Sequence, residues 1–139
     1  VNTFKLKIMT SNKVFYDGEC LKLIITATDG ALEIMANHEA AVFAVVPGVF
    51  RYTLDDSEWI EAVSGNGFVM VYNNEAMLII DSAELPEDID MVRAEEAKER
   101  AEEQMRQDRS QREYLHSKAS LARAMARLKA TSKYNKYNQ

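Results

Sequence analysis

The sequence predicts an α+β protein in which an N-terminal antiparallel β-sandwich is followed by a C-terminal two-helix antiparallel hairpin. Residues 1–85 contain short alternating apolar runs broken by turn-forming pairs, and they hold all five glycines. Residues 87–139 contain neither Gly nor Pro and are rich in Ala, Glu, Lys and Arg, which favour helix. Pro86 lies between these two compositions. A proline suits the start of a helix because the N–H that it lacks would be unpaired there anyway.

The first part predicts nine short strands, separated by turn residues such as Asp-Gly, Pro-Gly and Asn-Asn. No helix-length periodic segment interrupts them, so a βαβ sheet is disfavoured and an antiparallel sandwich or flattened barrel is favoured. The strands are centred on Phe4/Leu6/Ile8, Val14–Tyr16, Leu21/Leu23/Ile25, Leu32–Met35, Ala41–Val46, Val49–Tyr52, Trp59–Val63, Phe68–Tyr72 and Met77–Ile80.

The second part predicts two helices. The first runs from about Asp88 to Met105, with Glu87, Asp88 and Asp90 supplying negative charge to its first turn. A polar break at residues 107–111 follows, and the second helix runs from about Arg112 to Ala130. Residues 131–139 are expected to be frayed or disordered. We therefore divide the chain into residues 1–85, the sandwich, and residues 86–139, hereafter the arm.

The apolar stripes of both helices consist mostly of alanine. Helix one has a single stripe, whereas helix two has two, so it is expected to pack against helix one and against something else. The stripes are Ala94/Ala97/Ala101/Met105, Leu115/Ala119/Ala122/Ala126 and Leu121/Ala124/Met125/Leu128. Burying a methyl group stabilises less than burying a leucine side chain. The pattern fits an arm that opens while its helices persist, and it fits equally an ordinary hairpin fixed on the sandwich.

Charge is strongly segregated along the chain. Residues 1–85 carry a net charge of −7, residues 86–105 of −5 and residues 106–139 of +7, within a total of −5. The basic end is compatible with an anionic ligand, an acidic protein surface, nucleic acid or lipid, and also with a merely solvated helix.

The sequence contains no recognisable catalytic set. His38 and His116 fall in different modules without ligating neighbours, and neither a phosphate-binding glycine loop nor a nucleophile elbow is present. The single cysteine, Cys20, has no basic neighbour to activate it. We therefore expect a non-catalytic protein without a metal or prosthetic group.

A binding site is better supported than a catalytic one. Asp90, Arg93, Ala97 and Arg100 share one side of helix one. Closing the hairpin would bring Arg93 and Arg100 near two arginines of helix two, and clustered guanidinium groups match phosphate oxygens. Intrahelical pairing of Asp90 with Arg93, and of Glu96 with Arg100, is the alternative. The spacing alone leaves both interpretations open.

A family resemblance rests on the segment that joins the two parts. The pattern Ile89-Asp90-x-x-Arg93-Ala94, preceded by residues 81–84 and followed by residues 95–101, resembles the epsilon subunit of bacterial F-type ATP synthase. The similarity covers nearly the whole chain. Further short motifs stand in family order, namely Thr28-Asp29-Gly30, His38, Pro47-Gly48-Val49 and Gly67-Phe68.

The resemblance implies a rotor component of the central stalk that couples proton flow to ATP synthesis. Its arm would inhibit ATP hydrolysis and bind ATP as a regulatory ligand. The expected partners are the gamma subunit, the membrane c-ring and, through the extended arm, the alpha and beta subunits, at the cytoplasmic face of the plasma membrane. Neither nucleic acid nor direct membrane insertion is expected. The ATP site implied by matching positions comprises Glu84, Ile89, Asp90, Arg93, Ala94, Arg100, Arg123 and Arg127.

Two loops depart from the family pattern. Where the family usually has Gly-Glu-Leu-Gly-Ile and Pro-Gly-His-Ala-Pro, this chain has Gly30-Ala31-Leu32-Glu33-Ile34 and Ala36-Asn37-His38-Glu39-Ala40. The fold is expected to survive these changes, while contacts with the ring are expected to differ. A free-standing adaptor or nucleic-acid-binding module using the basic helix is the alternative function. The net charge of −5 disfavours it.

Overall fold

The computed structural model describes residues 2–107 and 110–137 and contains both predicted parts. All nine predicted strands are present, and a tenth, of two residues, was not predicted. The strands are β1 Phe4–Met9, β2 Val14–Cys20, β3 Lys22–Ala27, β4 Gly30–Met35, β5 Ala41–Val45, β6 Gly48–Thr53, β7 Trp59–Ser64, β8 Gly67–Tyr72, β9 Glu75–Ile80 and β10 Ala83–Glu84. A 3₁₀ turn at Pro86–Asp88 and two helices, α1 Met91–Gln107 and α2 Gln111–Tyr137, follow.

The strands form two five-stranded sheets packed as a sandwich. The order is β2-β1-β9-β8-β5 in the first sheet and β10-β7-β6-β3-β4 in the second. Neighbouring strands are antiparallel, as predicted, except that β1 runs parallel to β9 with Leu6 opposite Ala76. A parallel pair needs a long connection between its strands. Here that connection is all of the chain from β2 to β8, which encloses the sandwich core.

Alternation along strands such as β1 and β3 builds that core. Phe4, Leu6 and Ile8 point inward from β1 and are almost completely buried, while Leu23 and Ile25 do the same from β3. Because successive side chains of a strand face opposite sides, one face of each sheet is apolar and meets the other sheet. The buried core cluster of the sandwich contains no residue of either helix.

Asparagines hold two tight turns of the sandwich. Asn73 and Asn74, with φ of 52° and 60°, join β8 to β9 in the left-handed conformation typical of a two-residue hairpin turn. The side chain of Asn74 accepts from Asn37 N (2.8 Å) and donates to Thr3 O (3.0 Å). Asn37 itself has φ of 63° in one of the two loops that depart from the family pattern. Asparagine tolerates this conformation better than most residues, so the loop keeps its turn without glycine.

The helix limits differ from the predicted ones. Helix α1 begins at Met91 and not at Asp88, so the predicted acidic residues precede its first turn. The break between the helices is where it was predicted, although residues 108 and 109 lie outside the described part. Ser110 caps α2, since its Oγ accepts from Glu113 N at 3.1 Å. The prediction of a frayed tail is wrong for residues 131–137, which continue α2, while residues 138 and 139 lie outside the described part.

Small side chains line the contact between the two helices. On α1 the buried residues are Ala94 and Ala101, as the predicted stripe requires. On α2, Ser117, Ala124 and Thr131 are buried at a spacing of seven, which places them on one face. The prediction of the α2 stripes is wrong at Leu115 and Met125, because each of these side chains is more than half exposed.

A second face of α2 packs onto the sandwich. Ala126 and Ala130 form a buried cluster with Val63 of β7, and Val49 and Ile89 pack against it. The predicted second partner of this helix is therefore the outer side of the second sheet. None of the described helices combines the length and the apolar character that crossing a membrane requires.

Candidate functional site

The segment between the sandwich and α1 is fixed by local hydrogen bonds. Pro86 is buried and opens the 3₁₀ turn, and Asp88 N donates to Leu85 O at 3.0 Å. Asp90 then caps α1, because its Oδ1 accepts from Arg93 N at 3.2 Å and its carbonyl accepts from Ala94 N at 3.0 Å. A carboxylate at this position satisfies an otherwise unpaired N–H and favours the helix dipole. Asp90 therefore has a structural role that the spacing did not reveal.

A surface cleft of about 420 Å³ lies where this segment, α1 and α2 meet. Seven of the eight residues implied by the family resemblance line it, and Arg123 is the exception. Asp88 and Ala97 complete the lining. The seven are Glu84, Ile89, Asp90, Arg93, Ala94, Arg100 and Arg127. The fold thus brings together positions up to 43 residues apart in the sequence.

One arginine of the cleft is already paired. Arg127 Nε donates to both carboxylate oxygens of Glu84, at 3.0 and 3.1 Å, and its Nη2 donates to Oε1 as well. The exposed fractions of the two side chains are only 27% and 29%. A bidentate pair between a guanidinium and a carboxylate is among the stronger ionic contacts in proteins. It fastens α2 to β10 of the sandwich.

The other three arginines divide into two kinds. Arg123 Nη2 lies 3.3 Å from Asp81 Oδ2, so this residue points to the end of β9 and not into the cleft. Arg93 and Arg100 line the cleft, and within the described residues neither guanidinium group forms an ion pair. Three of the four guanidinium groups therefore share one cleft, and two of the three are not neutralised by a carboxylate partner.

The alternative of intrahelical pairing is not what the structure contains. Among the described residues, no ion pair joins Asp90 to Arg93 or Glu96 to Arg100. The ion pairs within α1 lie nearer its C-terminal end, at Lys98–Glu102 and Arg106–Glu103. The side of α1 that faces the cleft is left available to an anion.

Sequence reasoning missed the charged contacts between α2 and the sandwich. Besides Arg123–Asp81 and Arg127–Glu84, Lys133 Nζ lies 2.9 Å from Glu61 Oε1 of β7. The segregation of negative charge in residues 1–85 and positive charge in residues 106–139 was the available signal. It indicated charged partners, and some of the basic residues of the arm have acidic partners on the sandwich of the same chain.

The outer face of the first sheet carries an exposed apolar row. Val42 of β5 stands opposite Met70 of β8, which stands opposite Met77 of β9, and all three are exposed. Phe68 and Tyr72 of β8 extend the same face. A contiguous apolar face on a sheet is typical of a contact surface for another protein.

The single cysteine lies in the core. The thiol of Cys20 donates to Lys22 O at 3.1 Å and is fully buried. Burial raises the pKa of the Cys20 thiol to about 11, and hydrogen bonds to the backbone of Thr53 and Lys22 lower it in part. Nucleophilic cysteines require a lowered pKa and access to solvent, so Cys20 is a packing residue.

Both parts of the chain match known families, which define its class. Residues 3–86 match the family described as "ATP synthase, Delta/Epsilon chain, beta-sandwich domain". Residues 87–132 match the one described as "ATP synthase, Delta/Epsilon chain, long alpha-helix domain". The sandwich and hairpin are thus those of a delta/epsilon-type subunit of an ATP synthase.

Relatives narrow this class to the epsilon chains. The chain is 42% identical to the ATP synthase epsilon chain of Ruminiclostridium cellulolyticum over 131 residues, which cover 94% of this chain and 97% of that one. It is 38% identical to that of Caldanaerobacter subterraneus subsp. tengcongensis, with 95% and 96% covered. The protein therefore belongs to the ATP synthase epsilon-chain family and is a non-catalytic subunit. Membership of this family argues against a free-standing adaptor.

A solved structure shares the fold at low sequence identity. A chain in the cryo-EM structure of the Euglena gracilis mitochondrial ATP synthase, containing OSCP, F1 and the c-ring, superposes with a TM-score of 0.77 at 17% identity. The match covers 89% of this chain and 78% of that chain. At this identity the likeness concerns the fold alone.

Proposed function

We propose that this epsilon chain is a rotor component of the central stalk that couples proton flow to ATP synthesis, and that its arm is an inhibitor of ATP hydrolysis controlled by ATP. ATP acts as a regulatory ligand and not as a substrate. The observation that carries the proposal is the cleft at the junction of the sandwich and the arm, where Arg93 and Arg100 lie beside Arg127 and have no carboxylate partner among the residues that the structure describes.

The arginines of the cleft suit the phosphate end of the nucleotide. The cleft is lined by as many carboxylates as guanidinium groups, but Arg93 and Arg100 form no ion pair among the described residues, so a phosphate group can take the place of a carboxylate partner. Phosphate oxygens accept two parallel hydrogen bonds from a guanidinium group, which a point charge does not offer. Arg123 precedes Arg127 by one turn of α2 and joins the site by exchanging Asp81 for a phosphate oxygen. The eight residues implied by the family are the proposed ATP site.

The start of α1 suits the base. Asp90 Oδ1 is engaged by the helix cap, and its other carboxylate oxygen accepts from the exocyclic amine of adenine. Ala94 is small and leaves room for a flat ring, and Ile89 supplies an apolar side to it. The cap therefore orients the carboxylate before the ligand arrives.

Isothermal titration of the whole chain with ATP tests the site. We expect one binding site, weakened by roughly 1–3 kcal/mol in Arg93→Ala, the scale for losing a hydrogen bond to a charged group. Arg106→Ala is the matched control, since it removes the same charge from the same helix but lies outside the cleft lining. Equal losses in both variants would mean that only net charge matters. Absence of heat at millimolar ATP would remove the site.

Rotor attachment is assigned to the sandwich. The exposed row of Val42, Met70 and Met77 suits a contact with the gamma subunit. Covering an apolar face of this kind with another protein removes it from water, whereas leaving it exposed promotes aggregation. Strand β4 around Glu33 and the loop around Asn37, which both depart from the family pattern, would face the c-ring. A related fold occurs in a structure titled as the central stalk and c-ring of the Tetrahymena thermophila mitochondrial ATP synthase. In this assignment the protein is peripheral, at the cytoplasmic face of the bacterial plasma membrane.

The arm acts as a switch because its closed form is held weakly. Its seams bury methyl groups, while α1 and α2 have 17 and 27 residues with high helix propensity. Laid end to end, they reach about 65 Å at 1.5 Å per residue, enough to extend toward the alpha and beta subunits. ATP binds only the closed form, and at 100 times its dissociation constant it shifts the equilibrium by about 2.7 kcal/mol. Such a shift reverses a marginal preference for opening.

A further inference from the structure

Among the side chains that the structure describes, one ionic contact joins the C-terminal end of α2 to the sandwich. Lys133 Nζ lies 2.9 Å from Glu61 Oε1, and the exposed fractions of the two side chains are 46% and 21%. Glu61 belongs to β7, whose register places it opposite Arg51 of β6. The Arg51 guanidinium instead lies over the ring of Trp59, 4.9 Å from its centroid, which leaves Glu61 to Lys133.

The packing around this contact is open. Cavities of about 430 and 560 Å³ lie along this end of α2, and Glu61, Ala130 and Lys133 line both of them. The buried apolar contact here is provided by Ala126 and Ala130 against Val63. Two methyl groups between open cavities make a weak joint, so the ion pair contributes a large share of the docking of this end.

The contact also stands apart from the nucleotide cleft. Neither Lys133 nor Glu61 lines that cleft, and Lys133 lies beyond residues 87–132, which match the helical family. It belongs to the segment for which the sequence predicted fraying. The pair therefore acts on the closed arm without touching the ligand.

We propose that Lys133 and Glu61 form an ionic latch that keeps the arm closed independently of nucleotide and releases it as ionic strength rises. This inference rests on the proposed opening of the arm. Because both partners are partly exposed, mobile ions screen their attraction, with a Debye length of about 10 Å at 0.1 M salt and about 3 Å at 1 M. Such pairs are individually weak, but where the apolar contact is also small, losing one pair changes the fraction of open arm measurably.

The open population is measured by the rate at which a buried thiol becomes reactive. Ala130→Cys places a thiol at the α2–sandwich contact, in a Cys20→Ala background, and iodoacetamide labels it only when the arm is open. Lys133→Glu should raise the labelling rate about fivefold at low salt, the upper end for an exposed pair. Salt should raise the rate in the parent chain and less in Lys133→Gln.

Lys129→Glu is the matched control. It makes the same change of charge one turn earlier on α2, at a lysine that lines the larger cavity together with Glu61 but forms no ion pair in the described part of the chain, so it controls for local charge without breaking a pair. Its labelling rate should stay within twofold of the parent rate, and the swap Glu61→Lys with Lys133→Glu should restore that rate. Equal rates for Lys129→Glu and Lys133→Glu, or no recovery in the swap, would overturn the latch.

The same assay separates the latch from the nucleotide switch. If ATP slows labelling while Lys133→Glu behaves like Lys129→Glu, the latch is wrong and the switch stands. If Lys133→Glu speeds labelling while ATP has no effect, the latch stands and the nucleotide control is wrong. Absence of labelling in every variant, with or without salt, would contradict both.

Discussion

Breaking the pair between Glu84 and Arg127 should cost more than breaking a surface ion pair of the same chemistry. The perturbations are Glu84→Gln and Arg127→Met, which keep much of the side-chain volume, together with the double variant. The structure offers a matched pair at Glu103 and Arg106 in α1, to be treated with the corresponding substitutions. The quantity compared is the coupling free energy of each pair, obtained from a double-mutant cycle.

The expected magnitudes follow from geometry and exposure. Glu84 and Arg127 form a bidentate contact with exposed fractions of 29% and 27%, so hydrogen bonds between charged groups persist with little competition from water. A coupling of about 1–2 kcal/mol is expected, within the range for charged hydrogen bonds. Glu103 and Arg106 are 57% and 68% exposed at a spacing of three, for which about 0.2–0.5 kcal/mol is expected. The difference arises because Glu84–Arg127 joins the sandwich to α2, whereas Glu103–Arg106 lies on the exposed surface of one helix.

Urea unfolding of the four variants in each cycle provides the measurement. Helix content is followed by circular dichroism at 222 nm and the sandwich by the fluorescence of Trp59, the single tryptophan. If the coupling of Glu84 and Arg127 is no larger than that of Glu103 and Arg106, α2 is not fastened to the sandwich by this contact. Closure of the arm would then not depend on this ion pair.

Two further predictions concern the sandwich. A fragment of residues 1–85 should fold, because its core forms between the two sheets, and it should join the rotor while removing inhibition of ATP hydrolysis at low ATP. Loss of strand circular dichroism would show that Ala126 and Ala130 complete the core over Val63. The free energy of unfolding should fall as pH rises from about 9 toward 11, because the pKa of the Cys20 thiol is raised to about 11 in the folded state and unfolding releases its proton. Cys20→Ala should flatten that part of the profile, and an unchanged slope would assign it to other groups such as Tyr52, whose pKa burial raises to about 12.

Local patterns in the sequence predicted the sandwich because strands such as β1 alternate between buried and exposed residues and are bounded by turn residues. Phe4, Leu6 and Ile8 identify β1 without reference to any other strand. They do not reveal that β1 lies parallel to β9, since pairing depends on the path of the whole chain. Strand β10 has two residues, too few for any periodicity to mark it. The extension of α2 to Tyr137 was missed because Thr131, Ser132 and Tyr134 have lower helix propensity than the alanines before them.

The sequence predicted the part of the candidate site that is local in the chain and failed for the part that depends on distant residues. Residues close in sequence, from Ile89 to Ala94, line the cleft as the motif implies. Arg123 does not, because a carboxylate 42 residues away at Asp81 is nearer to it. Such long-range choices between ion-pair partners are small differences in free energy, and spacing along one helix carries no information about them. Whether ATP binds at these positions stays a prediction.

The division of charge between the two modules would give the proposed opening of the arm a long-range consequence. In the closed form, cations at Arg123, Arg127 and Lys133 face anions at Asp81, Glu84 and Glu61, so their fields largely cancel beyond a few ångströms. Opening leaves the net charge at −5 but separates these charges, which gives the subunit a large dipole moment. The three acidic residues stay on the sandwich without their partners, and the three basic residues move away with α2. An open arm is therefore oriented by the electrostatic field of its surroundings before it makes any contact, whereas a closed arm is not.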